Sequence, residues 1–253
     1  MGRRRLAEQR LTSMATVRTA FLDANVVRGQ LTTDIMLTLA AERLYRPKWS
    51  PEVQAEAIRN KPPGASEQAV TGRFAQMDKV FPAAMTTGYD ELTPQMRADE
   101  KDKHVLAAAV HSKADVLVTE NTKDFDPPRS GSHAMKVERT SEFLNQVLDD
   151  NPDKVVRSLQ KMVARNRRTP QTMPELIDKM ATQQDLEGFA HKLNGIVPPE
   201  QRGTHPNLQT TQAAKAALDG VASPTKAAEK PGSAPQARKA GASGPEKSAD
   251  KEL

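Results

Sequence analysis

The sequence predicts an α/β fold: a central parallel sheet over residues 17–139, preceded by a basic arm over 1–16 and followed by a helical extension over 140–197 and a disordered tail over 198–253. Three observations carry that division. Two short apolar segments, Thr19–Asp23 and Asp115–Thr119, read as strands, and a long stretch of helical pattern separates them. Strands joined by long helical connections pair in parallel. The apolar residues of 140–197 follow the helical period alone. From 198 onward Pro, Ala, Ser, Gly and Lys dominate, as in SPTKAAEKPGSAPQARKAGASGPEKSADK, and so little apolar surface cannot offset chain entropy.

In chain order, Thr19–Asp23 is a buried strand ending at an acid. Residues 32–44 place Ile35, Met36, Leu39 and Leu44 on one helical stripe, with Thr32 or Thr33 available as the cap. Residues 45–49 are too short to assign. Ser50 opens a helix with Pro51 at its first position and Glu56 inside it, and Lys61-Pro62-Pro63-Gly64 breaks the chain. Val70, Phe74, Met77 and Val80 define the next helix from about Ser66. A helix begun near Asp102 carries Val105, Leu106, Ala109 and Val110 into the strand Asp115–Thr119.

Composition removes several functional classes. With 253 residues and no cysteine, the chain has no disulfide, zinc–thiolate site, iron–sulfur cluster or thiol nucleophile, which suits a cytoplasmic location. No apolar run approaches the roughly twenty residues of a membrane span, and no hydrophobic signal core follows Gly2-Arg3-Arg4-Arg5. A formal net charge of +5 favours acidic partners such as nucleic acid. A hydrophobic content of 37% with 4% aromatics is low for one packed globule, in keeping with unstructured ends.

Four acids stand where apolar elements end or begin: Asp23, Glu56, Asp102 and Asp124. In a parallel sheet, ligands gather at the carboxyl ends of the strands, where Asp23 and Asp124 fall. Converging carboxylates bind hard divalent cations such as Mg²⁺ or Mn²⁺. Each acid has a plainer reading as well. Asp23-Ala24-Asn25 suits a turn, a phosphoacceptor or a phosphatase nucleophile, and Glu56 suits a solvated helix face. Asp99 and Asp102 suit a helix start, and Asp124 a polar turn.

The segments Leu22-Asp23-Ala24-Asn25-Val26, Trp49-Ser50 with Glu56, Asp99-x-x-Asp102-Lys103-His104-Val105-Leu106-Ala107-Ala108-Ala109, and Val118-Thr119-Glu120-Asn121-Thr122-Lys123-Asp124-Phe125 resemble, in this order, the signatures of PIN-domain nucleases. The closest resemblance is to bacterial VapC-type toxins with an extra helical segment, and it spans roughly residues 18–195. The stretch after Asn25, Val-Arg-Gly-Gln-Leu-Thr-Thr, departs from that pattern beside the site.

The resemblance implies a PIN-like α/β/α sandwich and a Mg²⁺- or Mn²⁺-dependent endoribonuclease acting as the toxin of a toxin–antitoxin pair. Its partners would be an RNA substrate, a cognate antitoxin protein and a second copy of the chain. Asp23, Glu56, Asp102 and Asp124 would form the acidic quartet. Asp23, Asp102 and Asp124 would ligate metal, and Glu56 would orient or deprotonate water. Asn25, Thr119 and Asn121 would support them, while Asp99 would cap the Asp102 helix. His104 reads as a packing or hydrogen-bonding residue.

The extension adds a separate signal. Asn151-Pro152-Asp153 starts a helix with Val155, Val156, Leu159, Met162 and Val163 on its apolar stripe. Lys154, Arg157, Lys161, Arg165 and Arg168 recur every three or four residues, a ladder suited to an RNA backbone, to an acidic antitoxin or to solvent. Thr172-x-x-Glu175 reads as a capping box, and a last helix with Leu186, Phe189 and Leu193 is expected to end at Gly195. The rival to an enzyme is a non-catalytic RNA- or protein-binding module on the same fold. A haloacid-type phosphatase would need an aspartate where Asn25 stands, and neither a Walker loop nor a nucleophile elbow is present.

Overall fold

The structure is a computed structural model and describes residues 17–209; the arm expected over 1–16 and the tail from 210 onward lie outside the described residues. Four strands, β1 (Thr19–Leu22), β2 (Arg46–Lys48), β3 (Val116–Val118) and β4 (Lys136–Glu138), form one sheet in the order β2-β1-β3-β4. All three pairings are parallel, with Phe21 opposite both Lys48 and Leu117, and Leu117 opposite Val137. The carboxyl ends of all four strands therefore face the same way.

The two central strands are the two that the apolar pattern announces. Every residue of β1 and β3 is buried, as expected of parallel strands covered by helices on both faces, and the fold is an α/β/α sandwich. The outer strands, Arg-Pro-Lys and Lys-Val-Glu, carry charge and a proline. Edge strands tolerate both, because one side of the ladder is unpaired.

Helices α1 (Ala24–Val27) and α2 (Gln30–Ala41) follow β1 directly. Neither Thr32 nor Thr33 caps α2, contrary to the sequence reading. The helix starts two residues earlier behind Gly29, Thr33 Oγ donates back to the carbonyls of Gly29 and Val27, and Leu44 lies beyond the helix end. Ser50 caps α3 (Pro51–Arg59) by accepting from the Val53 N–H at 3.3 Å, and Ser66 caps α4 (Glu67–Val80) from the Ala69 N–H at 3.1 Å. Helix α5 (Lys103–His111) buries its entire apolar run from Val105 to Val110.

The extension comprises α6 (Thr140–Asp150), α7 (Pro152–Arg165), α8 (Met173–Ala181) and α9 (Glu187–Ile196). From its apolar stripes Leu159, Ile177, Phe189 and Leu193 are fully buried and belong to the same core as Phe21 and Leu39, with Val156 partly buried against it. Polar ties cross the same junction: Thr32 Oγ donates to Asp185 at 2.7 Å, Arg18 to Gln146 at 2.7 Å, and Arg165 to Thr38 at 3.1 Å.

Three boundaries differ from expectation. Gly195 lies inside α9, which ends at Ile196 with Val197 as its cap. In the expected capping box, Thr172 accepts from the Glu175 N–H, but the Glu175 carboxylate accepts from Gln171 rather than from Thr172. Packed structure also continues past 197. A 3₁₀ turn spans Pro199–Gln201, Leu208 is buried, and Asp178 accepts from the N–H groups of Thr204 and His205. The single buried leucine and the Asp178 contacts hold a segment whose composition alone reads as tail.

Candidate functional site

The strand order places the acids. Asp23 follows β1 and still pairs with β3 through its N–H to the Val118 carbonyl at 3.1 Å. Its carboxylate is heavily engaged. Oδ1 accepts from the Ala24 N–H at 2.6 Å, and Oδ2 accepts from Thr119 Oγ and Asn25 Nδ2, each at 2.7 Å. Asn25 also accepts from the Glu120 N–H at 3.2 Å, which ties the β1 and β3 ends together. Thr119 and Asn25 thus support Asp23 directly. Asn121 takes part through its backbone, donating to Thr119 Oγ at 3.1 Å, while its side chain is exposed.

Asp102 stands at the start of α5, only 9% exposed, and its Oδ2 is buried without any hydrogen-bond partner. Lys101 approaches that oxygen to 3.8 Å from a largely exposed position. A buried carboxylate oxygen left without a donor is costly in a folded protein. Its neighbours make matters worse: carboxylate oxygens of Asp99, Asp102 and Asp124 lie within 4.8 Å of one another. Asp124 closes a 3₁₀ turn, Thr122–Asp124, and its carbonyl accepts from the Asp99 N–H at 3.1 Å, clamping the two segments together.

Asp99 accordingly differs from the expected helix cap. Its side chain makes no capping hydrogen bond, and its carboxylate points instead into the acidic group. The cluster at ligand spacing is Asp99, Asp102 and Asp124, whereas the sequence reading has Asp23 with the latter two. Asp23 lies outside that group, and its oxygens accept from Ala24, Asn25 and Thr119. The signal that could have found Asp99 is its three-residue separation from Asp102 across a turn, which the helix-cap reading absorbed.

Glu56 projects from α3 beside the buried Val53 and Ala57, and its carboxylate lies 3.8 Å from His104 Nε2. Asp23 and Asp102 both feel their acidic neighbours. Burial raises the Asp23 carboxyl to about 6 against the pull of its hydrogen bonds, and the charges of Glu56 and Asp102 add to the rise. Burial also raises Asp102, opposed by Lys101 and reinforced by Asp124, Glu56 and Asp99. Such mutual repulsion is what a bound cation relieves. The all-oxygen donor set, with an orphaned buried oxygen in it, fits Mg²⁺ or Mn²⁺.

The basic ladder fares differently. Helix α7 ends at Arg165, so Arg168 lies beyond the face that the spacing assigns to it. Lys161 pairs with Glu42 at 3.6 Å, and Arg165 donates to Thr38, both on the α2 side. Lys154 is half-buried, and Arg157 is exposed.

Comparison with known proteins gives the family. Residues 141–195 match the family profile described as the VapC50 C-terminal domain. A protein of Mycobacterium tuberculosis (strain ATCC 25618 / H37Rv) named "Putative ribonuclease VapC50" is 32% identical over 115 residues, or 46% of this chain and 67% of that relative. No solved structure gives a significant match. The chain belongs to the VapC-type PIN ribonuclease toxins, and the parallel sheet flanked by helices is the PIN-like fold.

Proposed function

We propose that this chain is a divalent-metal-dependent endoribonuclease, the toxin of a type II toxin–antitoxin pair that acts in the cytoplasm. The observation that supports this most strongly is the buried, unpartnered Oδ2 of Asp102 inside a group of three converging carboxylates. A protein-binding platform gains nothing from that arrangement.

In this reading Asp99, Asp102 and Asp124 hold Mg²⁺ or Mn²⁺, and Asp23 completes the acidic wall from the β1 side. Such an ion stabilises charge on the scissile phosphate and lowers the pKa of an attacking water. Glu56 would orient an attacking water and accept its proton, with His104 Nε2 3.8 Å from its carboxylate. Thr119 and Asn25 keep Asp23 in one rotamer, as supporting hydrogen bonds do around metal ligands. Residues 17–139 form the nuclease domain and 140–197 the extension. From the extension, Lys154, Arg157, Lys161, Arg165 and Arg168 would meet an RNA backbone, Lys161 and Arg165 on release of their contacts with Glu42 and Thr38.

An antitoxin protein would block the acidic site, and pairing of two copies is the expected assembly. Among the described residues no helix is long and apolar enough to cross a membrane. The test is digestion of total cellular RNA by antitoxin-free protein with Mn²⁺ or Mg²⁺, beside EDTA and Asp102→Asn controls. Discrete metal-dependent fragments absent from the variant support the enzyme. Identical patterns from folded wild type and variant would favour the binding module instead. Growth arrest on induction, lost in Asp102→Asn, separates a toxin from a housekeeping ribonuclease.

A further inference from the structure

Three segments deliver the clustered acids, and each also supplies a wall of a neighbouring cavity of about 390 Å³. Residues 97–99 and 124–126 form a small antiparallel clip. Ala98 bridges Phe125, the Asp99 N–H donates to the Asp124 carbonyl at 3.1 Å, and the Asp126 N–H donates to the Arg97 carbonyl at 2.8 Å. Asp99 and Asp124 therefore mark one end of the clip, and Arg97 and Asp126 the other, two residues or roughly 6–7 Å further along. The third wall is Leu106, one turn of α5 beyond Asp102 and about 6 Å along the helix.

The cavity joins apolar and charged walls. Met96, Leu106, Pro127 and Pro128 line it together with Gln95, Asp126 and the arginines Arg97 and Arg129, whose side chains are 83% and 86% exposed. Asp126 pairs with both, at 3.2 and 3.4 Å. One carboxylate holding two guanidinium groups fixes their position, leaves a net positive charge and leaves most of their donors free. Exposed ion pairs of this kind contribute little to stability. Guanidinium groups match phosphate oxygens in bidentate geometry.

We propose that this cavity is a nucleotide subsite. It takes the base next to the bond that is cut, and Arg97 and Arg129 hold that nucleotide's phosphate. The proposal rests on the ribonuclease reading of the acidic cluster and deepens it by naming how single-stranded RNA is set in register with the acids. The cavity volume lies within the roughly 300–1,000 Å³ of small-molecule sites, and its flat proline and aliphatic walls suit a base lifted out of a stack.

The test uses the full chain and a short single-stranded RNA carrying a bond that the wild type cuts. Arg97→Gln with Arg129→Gln should raise KM about tenfold with little change in kcat, and should lower the salt slope of RNA binding by about one per arginine. Binding is read by fluorescence anisotropy in an Asp102→Asn background, where no cleavage intervenes. Replacing either nucleotide beside the cut bond, in turn, with an abasic one should raise the wild-type KM for one of the two. The double variant should melt with the wild type, since both side chains are exposed. KM and affinity within twofold of the parent, or indifference to both abasic positions, would overturn the subsite while leaving the ribonuclease intact. A wild type that cuts no RNA would remove both readings together.

Discussion

The acidic cluster and the basic face of α7 are both charged constellations of regular spacing, yet the fold treats them in opposite ways. The acids are brought together and left unsatisfied: Asp102 Oδ2 has no hydrogen-bond partner, and Asp99, Asp102 and Asp124 crowd one another. Some of the cations are instead absorbed, Lys161 by Glu42 and Arg165 by Thr38. Topology explains the contrast. The backbone clip between residues 97–99 and 124–126 and the start of α5 bring those acids together whatever their side chains prefer, whereas a charge on a helix face remains free to turn toward the nearest partner. Unrelieved charge therefore points to function more strongly than periodic charge does.

The comparison can be broken first at the α7 seam. Leu159 is fully buried in a core shared by the sheet and the extension. Leu159→Ala should cost about 2–5 kcal/mol and lower one cooperative transition for the whole described region. Two separate transitions in urea, only one of them shifted, would show that the extension stands alone and that its cations are freer than their contacts indicate.

A second test concerns the acids without metal. The Asp23 carboxyl is raised to about 6 from an unfolded value of 3.8. The folded state thus binds a proton more readily than the unfolded one. Its contribution is fully present below about pH 4 and is lost as pH rises to about 6, on the order of 3 kcal/mol. Metal-free wild type should lose stability relative to Asp23→Asn across that window, measured as urea midpoints at each pH. A difference that grows in the other direction would mean that the acids are already satisfied.

Smaller effects are expected on α7. Arg165→Ala, which loses the Thr38 contact, should cost about 1 kcal/mol of stability or less. Lys154→Ala with Arg157→Ala should leave stability within about 0.5 kcal/mol and raise the KM for RNA a few-fold at low salt. Equal loss of RNA affinity from Arg165 and from Arg157 would restore the continuous ladder.

These contrasts also explain what was legible in the sequence. Phe21 and Leu117 announce their strands because both faces are covered and the apolar run is unbroken. Arg46-Pro47-Lys48 and Lys136-Val137-Glu138 do not, since an edge strand needs only one side of its ladder and tolerates charge. Asp23 and Asp102 could be singled out by their places at element ends, and Glu56 and Asp124 by the family-like segments that hold them. Asp99 shows in the sequence only through its three-residue spacing to Asp102, and its approach to Asp124 depends on a backbone clamp between segments remote in sequence. Leu208 was lost for a similar reason: one apolar residue in a polar stretch carries no period, and only the pocket that receives it reveals the packing.

The central claim is that the acids are assembled against their own repulsion in order to hold a cation. Thermal melting of wild type and Asp102→Asn, each in EDTA and in Mn²⁺ at about 100 times its dissociation constant, tests that claim most directly. Without metal, the variant should be the more stable by on the order of 1 kcal/mol, because one buried, unpartnered charge is gone. With Mn²⁺ the order should reverse, the wild type gaining about 2.7 kcal/mol and the variant much less. A variant that is less stable in EDTA, or a Mn²⁺ shift equal in the two proteins, would contradict the account.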